Sequence, residues 1–144
     1  KEDLEAGFKG ARILAGNDYE FGMMANKMEI TENELRRRVP ITVMTRGEAG
    51  AMITVEGDVF DIPPAKPARV VDPTGAGDAF RSGFVLGMSH GFDWPVVGRL
   101  ASLTAVYAIE QRGTQEHSYT IEQFVERYNQ NYGPSSEVDS LLTA

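Results

Sequence analysis

A glycine-broken junction between two valines and an apolar helical run constrains this chain more than any other feature. It reads Val70-Val71-Asp72-Pro73-Thr74-Gly75-Ala76-Gly77-Asp78-Ala79-Phe80-Arg81-Ser82-Gly83-Phe84. The valines read as the end of a buried strand. Pro73 and the glycines break regular structure, and a helix-compatible run follows from Ala79 to Met88. Without a Cβ, Gly75 and Gly77 allow unusual dihedrals and the close approach of a ligand. The N–H groups of Gly75, Ala76 and Gly77 are then expected to be unpaired at a helix N-terminus, where anions bind. Asp78 falls in the first turn, beside that anion, placed to accept a proton from an attacking hydroxyl. Two better-known phosphate loops do not fit. There is no Gly-Lys-Ser/Thr, and Phe80 stands at the third glycine position of a dinucleotide fingerprint. A glycine-rich helix cap with no ligand is the bland alternative.

Composition narrows the partners. With 144 residues and 42% hydrophobic content, the chain suits one domain with a substantial core. A net charge of −7 argues against nonspecific nucleic-acid binding. The basic run Arg36-Arg37-Arg38 follows Glu32 and Glu34 and reads as a solvated helix face. Cysteine is absent, which excludes disulfides and thiolate metal sites and fits a cytoplasmic protein. No apolar run approaches the roughly 18 residues of a membrane helix, and no signal peptide is expected. Neither nucleic acid nor a membrane is therefore an expected partner.

Alternating α and β signals predict a layered α/β fold. Residues 1–8 read as the end of a helix and 11–15 as a short strand. Residues 18–27 read as a helix with Phe21, Met24 and Met28 on one face. Thr31 and Glu34 form a capping box for a short helix that Pro40 closes. Residues 41–45 make a strand and 47–50 a turn. Strands at 51–56 and 59–62 flank Gly57-Asp58, an order that favours a type II′ hairpin. Pro63, Pro64 and Pro67 form an extended linker. Asp93-Trp94-Pro95 opens a helix to residue 110, and Thr120 with Gln123 caps another to residue 131. Residues 133–144 read as a weakly ordered tail.

Further motifs follow strands, where open α/β sheets bind ligands. Asn17-Asp18-Tyr19-Glu20 offers hard oxygens for a hydrated Mg²⁺, with Asp18 or Glu20 as the acid. Equally, Asn17 reads as a helix cap and Glu20 as first-turn dipole compensation. In Thr45-Arg46-Gly47-Glu48-Ala49-Gly50, Thr45 offers a hydroxyl and Gly47 a close backbone approach. Arg46 offers a charge for phosphate or, alternatively, for Glu48. A simple turn needing Gly47 and Gly50 is the competing reading. The small residues between Gly98 and Val106 permit close packing, and His90 reads as a dipole-compensating residue at a helix end.

The string from Asp72 to Asp78, with Ser82 and Gly83, resembles the second signature of the PfkB (ribokinase-like) carbohydrate and nucleoside kinases. The resemblance implies an α/β, ribokinase-like layered sheet flanked by helices, of which residues 1–132 form the C-terminal part. It implies an ATP-dependent kinase transferring the γ-phosphoryl group to a hydroxyl of an adenosine-like nucleoside. Asp78 is then the base, and Gly75, Ala76 and Gly77 form the anion hole. Asn17 and Glu20 take Mg²⁺ through water. Thr45, Arg46, Gly47, Gly50 and Thr74 contact ATP, while Asp72 and Thr74 contribute to a monovalent cation site suited to K⁺. The segment after residue 98 borders the adenine pocket. Arg112-Gly113-Thr114-Gln115-Glu116-His117, together with Asn17-Asp18-Tyr19-Glu20 and Asp78-Ala79-Phe80-Arg81-Ser82-Gly83, is most similar to bacterial adenosine kinase-like members. A sugar kinase for ribose or fructose is the alternative acceptor class, and a homodimer is a further expectation. Because the chain begins at Lys1 and resembles only the C-terminal half of such kinases, a non-catalytic fragment is the third reading.

Overall fold

The computed structural model describes residues 1–114 and 116–143. The chain divides into two compact units at the proline linker, Lys1–Ile62 and Pro63–Ala144. That boundary cuts the stretch 1–132, which the sequence reads as one portion.

In the first unit, strands β1 (Ile13–Asn17), β2 (Ile41–Thr45), β3 (Ala51–Val55) and β4 (Asp58–Ile62) form one sheet in that order. β1 and β2 are parallel and the remaining pairs antiparallel. Helices α1 (Glu2–Phe8), α2 (Asp18–Met28) and α3 (Glu32–Arg36) accompany it. Phe21, Ala25, Met28 and Leu35 pack with Met44 of β2. Phe21 and Leu35 are fully buried, each a contribution of about 1.5–3 kcal/mol. α3 opens with the expected Thr31–Glu34 capping box.

Two local expectations shift. β1 ends at Asn17 rather than Ala15, so one residue closes the strand and caps α2. The hairpin turn is Glu56-Gly57, with φ of +49° and +103°, not Gly57-Asp58. Both central residues lie at positive φ, as a type I′ turn demands. Pairing of Ala51 with Ile62 and Ile53 with Phe60 puts Asp58 opposite Val55, leaving Glu56 and Gly57 to turn.

The second unit is helical: α4 (Ala76–Ser89), α5 (Trp94–Ile109), α6 (Ile121–Tyr132), α7 (Ser136–Asp139) and a 3-10 turn (Ser140–Thr143). α4 and α5 approach closely through small residues. A Cβ on Gly83 would lie 2.5 Å from Thr104 Oγ1 and 2.9 Å from Ala101 Cα. Leu100, Leu103 and Val106 of α5 pack with Phe124, Val125 and Tyr128 of α6. Trp94 stacks on Phe84 at 6.2 Å, and the Thr120–Gln123 capping box forms as expected. Residues 136–143, expected as a weakly ordered tail, are helical turns instead. Val138 and Leu141 are buried in the same apolar cluster, which orders them.

Val70 and Val71 are not the end of a buried strand. They are 62% and 47% exposed, and within this unit the segment pairs with a helix end. The N–H groups of Val71 and Asp72 donate to Ile109 O at 2.8 and 3.1 Å. Among the described residues, no helix is long and apolar enough to cross a membrane.

Candidate active site

The signature loop is built on the N-terminus of α4. Gly75 caps the helix at φ +86°, and a Cβ there would lie 3.0 Å from Thr114 Cα. Both facts require glycine. Ala76 departs from expectation, because its N–H closes the turn onto Pro73 O at 3.3 Å. Among the described residues, the N–H groups of Gly75, Gly77 and Asp78 meet no acceptor. A Cβ on Gly77 would meet nothing within 4 Å. The result is an open set of amide donors at the positive end of a 14-residue helix, which suits a phosphate.

Asp78 stands in the first turn with its side chain 82% exposed, accepting a hydrogen bond from Arg81 Nη1 at 2.8 Å. Its backbone carbonyl accepts from Ser82 Oγ at 2.9 Å. Asp72 closes the loop from the other side. Its carboxylate accepts the Thr74 N–H at 2.9 Å and the Gly113 N–H at 3.1 Å. The Thr74 side chain, then the Thr74 and Gly113 amides, hold Asp72 below the usual carboxylate range. Local Asp-x-Thr spacing announces the first contact, but no local signal announces Gly113 or Thr114.

In the first unit, two motifs emerge at the carboxyl end of the parallel strands, where Asn17 is the register partner of Thr45. Asn17 Oδ1 accepts the Glu20 N–H and Glu20 Oε2 accepts the Asn17 N–H, both at 2.8 Å. This reciprocal capping box leaves Glu20 Oε1 open on an exposed side chain. Such an oxygen suits a cation that keeps its waters. Gly16, which the sequence reading passed over, makes room for this carboxylate. A Cβ there would sit 2.8 Å from Glu20 Oε2. Among the described residues, no group of three or more His, Asp or Glu side chains forms a direct metal cage.

Thr45 Oγ1 lies 3.5 Å from Gly16 O, which it donates to. Gly47 and Gly50 have φ of +55° and +86° and close the turn, with Gly50 N–H donating to Gly47 O at 3.1 Å. Arg46 has a structural task in the hairpin. Its Nη2 pairs with Asp61 of β4 and donates to Ala51 O at 3.2 Å and Ala49 O at 3.3 Å. Through Nη2 the guanidinium ties the hairpin together, and it does not pair with Glu48.

The sequence pattern of the pfkB family of carbohydrate kinases matches residues 1–121, and the chain belongs to that family. It is 32% identical over 127 residues to the nucleoside kinase of Methanocaldococcus jannaschii, covering 88% of this chain and 42% of that one. It is 34% identical over 134 residues to the nucleoside kinase of Methanothermobacter thermautotrophicus, covering 92% and 43%. Among solved structures, the Burkholderia thailandensis nucleoside kinase in complex with inosine matches with a TM-score of 0.87 at 39% identity. That match covers 91% of this chain and 43% of the other, and the same kinase was solved with ADP and inosine. The mixed sheet flanked by helices is thus ribokinase-like. The chain spans a little over two fifths of the length of the curated relatives it matches.

Proposed function

We propose that this chain is part of an ATP-dependent phosphotransferase that phosphorylates a hydroxyl of a purine nucleoside, adenosine and inosine being its first candidates. The observation that carries this reading is the N-terminus of α4. The amides of Gly75, Gly77 and Asp78, unpaired among the described residues, stand beside the exposed Asp78 carboxylate. Donors set where negative charge develops, together with positioning, supply most of the rate in phosphoryl transfer.

In this reading the acceptor hydroxyl lies against Asp78, which takes its proton as the oxygen attacks the γ-phosphorus and ADP leaves. The loop amides meet the negative charge of the transferring group. Asn17 and Glu20 would hold Mg²⁺ through water, an ion that neutralises phosphate charge when bound. Thr45, Arg46, Gly47, Gly50 and Thr74 would contact the nucleotide, with Arg46 Nη2 also holding the hairpin. Asp72 and Thr74 would border a K⁺ ion. Support for a nucleoside comes from the nucleoside kinase relatives, and for a purine from the inosine complex of the Burkholderia enzyme.

The test is ADP release from Mg·ATP by this chain with adenosine, inosine, ribose or fructose, with Asp78→Asn as the control. Nucleoside-dependent release that the substitution abolishes supports the reading. Release with ribose or fructose alone moves the acceptor to sugars. No release with any acceptor overturns the reading for this chain acting by itself.

A further inference from the structure

Glu110 is a misplaced charge by the ordinary rules of helices. It is the C-cap of α5, where the helix dipole disfavours an acid, and only 8% of it is exposed. Its charge is answered by Arg127 of α6 in a two-pronged pair, Nη1 to Oε2 at 2.7 Å and Nη2 to Oε1 at 2.5 Å. A paired buried charge of this kind is weak evidence for stability, since apolar residues of the same size often do as well. Its other contacts say what it accomplishes.

Glu110 Oε1 also accepts the Ala68 N–H at 2.6 Å, and Arg127 Nη2 donates to Lys66 O at 3.4 Å. Asn131, one turn further along α6, accepts the Lys66 N–H at 2.8 Å through Oδ1. Its amide donates to Arg127 O at 2.9 Å. The Arg127 guanidinium lies over the Tyr107 ring at 4.6 Å, which fixes its plane. Beyond Ala68 the same segment continues onto Ile109 O and then, through Asp72, onto Gly113 N–H. The polypeptide entering the signature loop therefore follows the C-terminal end of α5, and the Glu110–Arg127 pair fastens its start.

We propose that Glu110 and Arg127 are positioning residues for the signature loop: together they set the path of residues 66–72, and hence where the Asp72–Asp78 amides and carboxylates stand. The catalytic meaning of this placement rests on the kinase reading. The placement itself does not.

Amide hydrogen exchange on the full chain separates the two. In Arg127→Met, the Val71, Asp72 and Gly113 amides should exchange at least about tenfold faster, with the α4 and α5 interiors unchanged. Unchanged exchange at those three amides overturns the proposal, as does equal loosening along α5 and α6, which marks a merely structural pair. Should Arg127→Met fail to fold, Glu110→Gln keeps the side-chain shape and the acceptor for Ala68, and the same amides are read. Where the chain turns over, either variant should lower kcat while leaving KM for the nucleoside within about threefold, as expected of residues that act through the loop's position. Absence of turnover in the unsubstituted chain overturns the kinase reading for this chain acting by itself and leaves the exchange result to decide this one.

Discussion

Asn17 and Thr45 face each other across the parallel pair β1–β2, so two loops distant in sequence leave the sheet side by side. The carboxyl ends of parallel strands are where open α/β sheets bind ligands. Each of these residues also has a structural task, Asn17 as a helix cap and Thr45 as a donor across the sheet to Gly16 O.

Glu20→Gln should leave stability within about 0.5 kcal/mol, because glutamine completes a capping box as glutamate does. If Glu20 also serves Mg²⁺, the Mg²⁺ concentration for half-maximal ADP release should rise severalfold. Denaturant unfolding and an Mg²⁺ titration of turnover check the two halves. An unchanged titration would reduce Glu20 to its capping role.

Glycines on α4 should respond in opposite directions. Gly83→Ala pushes a methyl against Thr104 and the Ala101 backbone and should destabilise by about 1–3 kcal/mol despite its better helix propensity. Gly77→Ala adds a methyl in open space and should stabilise the fold by about 0.5–1 kcal/mol while weakening nucleotide binding. Urea melts and nucleotide titrations of both variants test this. Unimpaired binding by Gly77→Ala would show that no phosphate comes close there.

Asp78→Asn should reduce kcat by about 10²–10⁴, the usual range for general acid–base catalysis, with little change in melting temperature. The carboxylate is exposed and its one side-chain partner is the surface residue Arg81. A reduction under about tenfold, measured by ADP release, removes Asp78 from the role of base.

The Glu110 carboxyl is held below its ordinary value of 4.5, first by the hydrogen bonds from Arg127 and then by the Ala68 amide. A lowered folded-state value means that the group stabilises the fold above the unfolded pKa. That contribution is lost as pH falls through the folded one. Glu110→Gln should therefore be less stable than the parent by on the order of 1–3 kcal/mol at pH 7. The two should converge as pH drops below about 4.5, measured by denaturant unfolding across that range. A gap independent of pH would mean that shape, not charge, makes the contribution.

Most helix starts were legible because their chemistry is local. The Thr31–Glu34 and Thr120–Gln123 boxes satisfy backbone donors within a single turn, and the structure keeps both. The hairpin turn was misread by one residue because its position follows from which apolar residues pair across β3 and β4. The Glu48 alternative for Arg46 fails for a related reason. Its partner Asp61 is a cross-sheet neighbour, while the visible alternative, Glu48, is only near in sequence.

By itself the sequence determined the α/β alternation, the helix caps and the Asp72–Gly83 signature, which together marked the family. All of these depend on backbone dihedrals, caps and side-chain types within a few residues. Only the tertiary structure decided that Val70 and Val71 run along the end of α5. Only it showed that residues 136–143 pack into the core, and that Gly113 and Glu110 support the loop from far along the chain. Those outcomes depend on which donors, acceptors and apolar surfaces remain unpaired once the helices are docked. Such a balance is struck across the fold, and no short stretch of residues carries it.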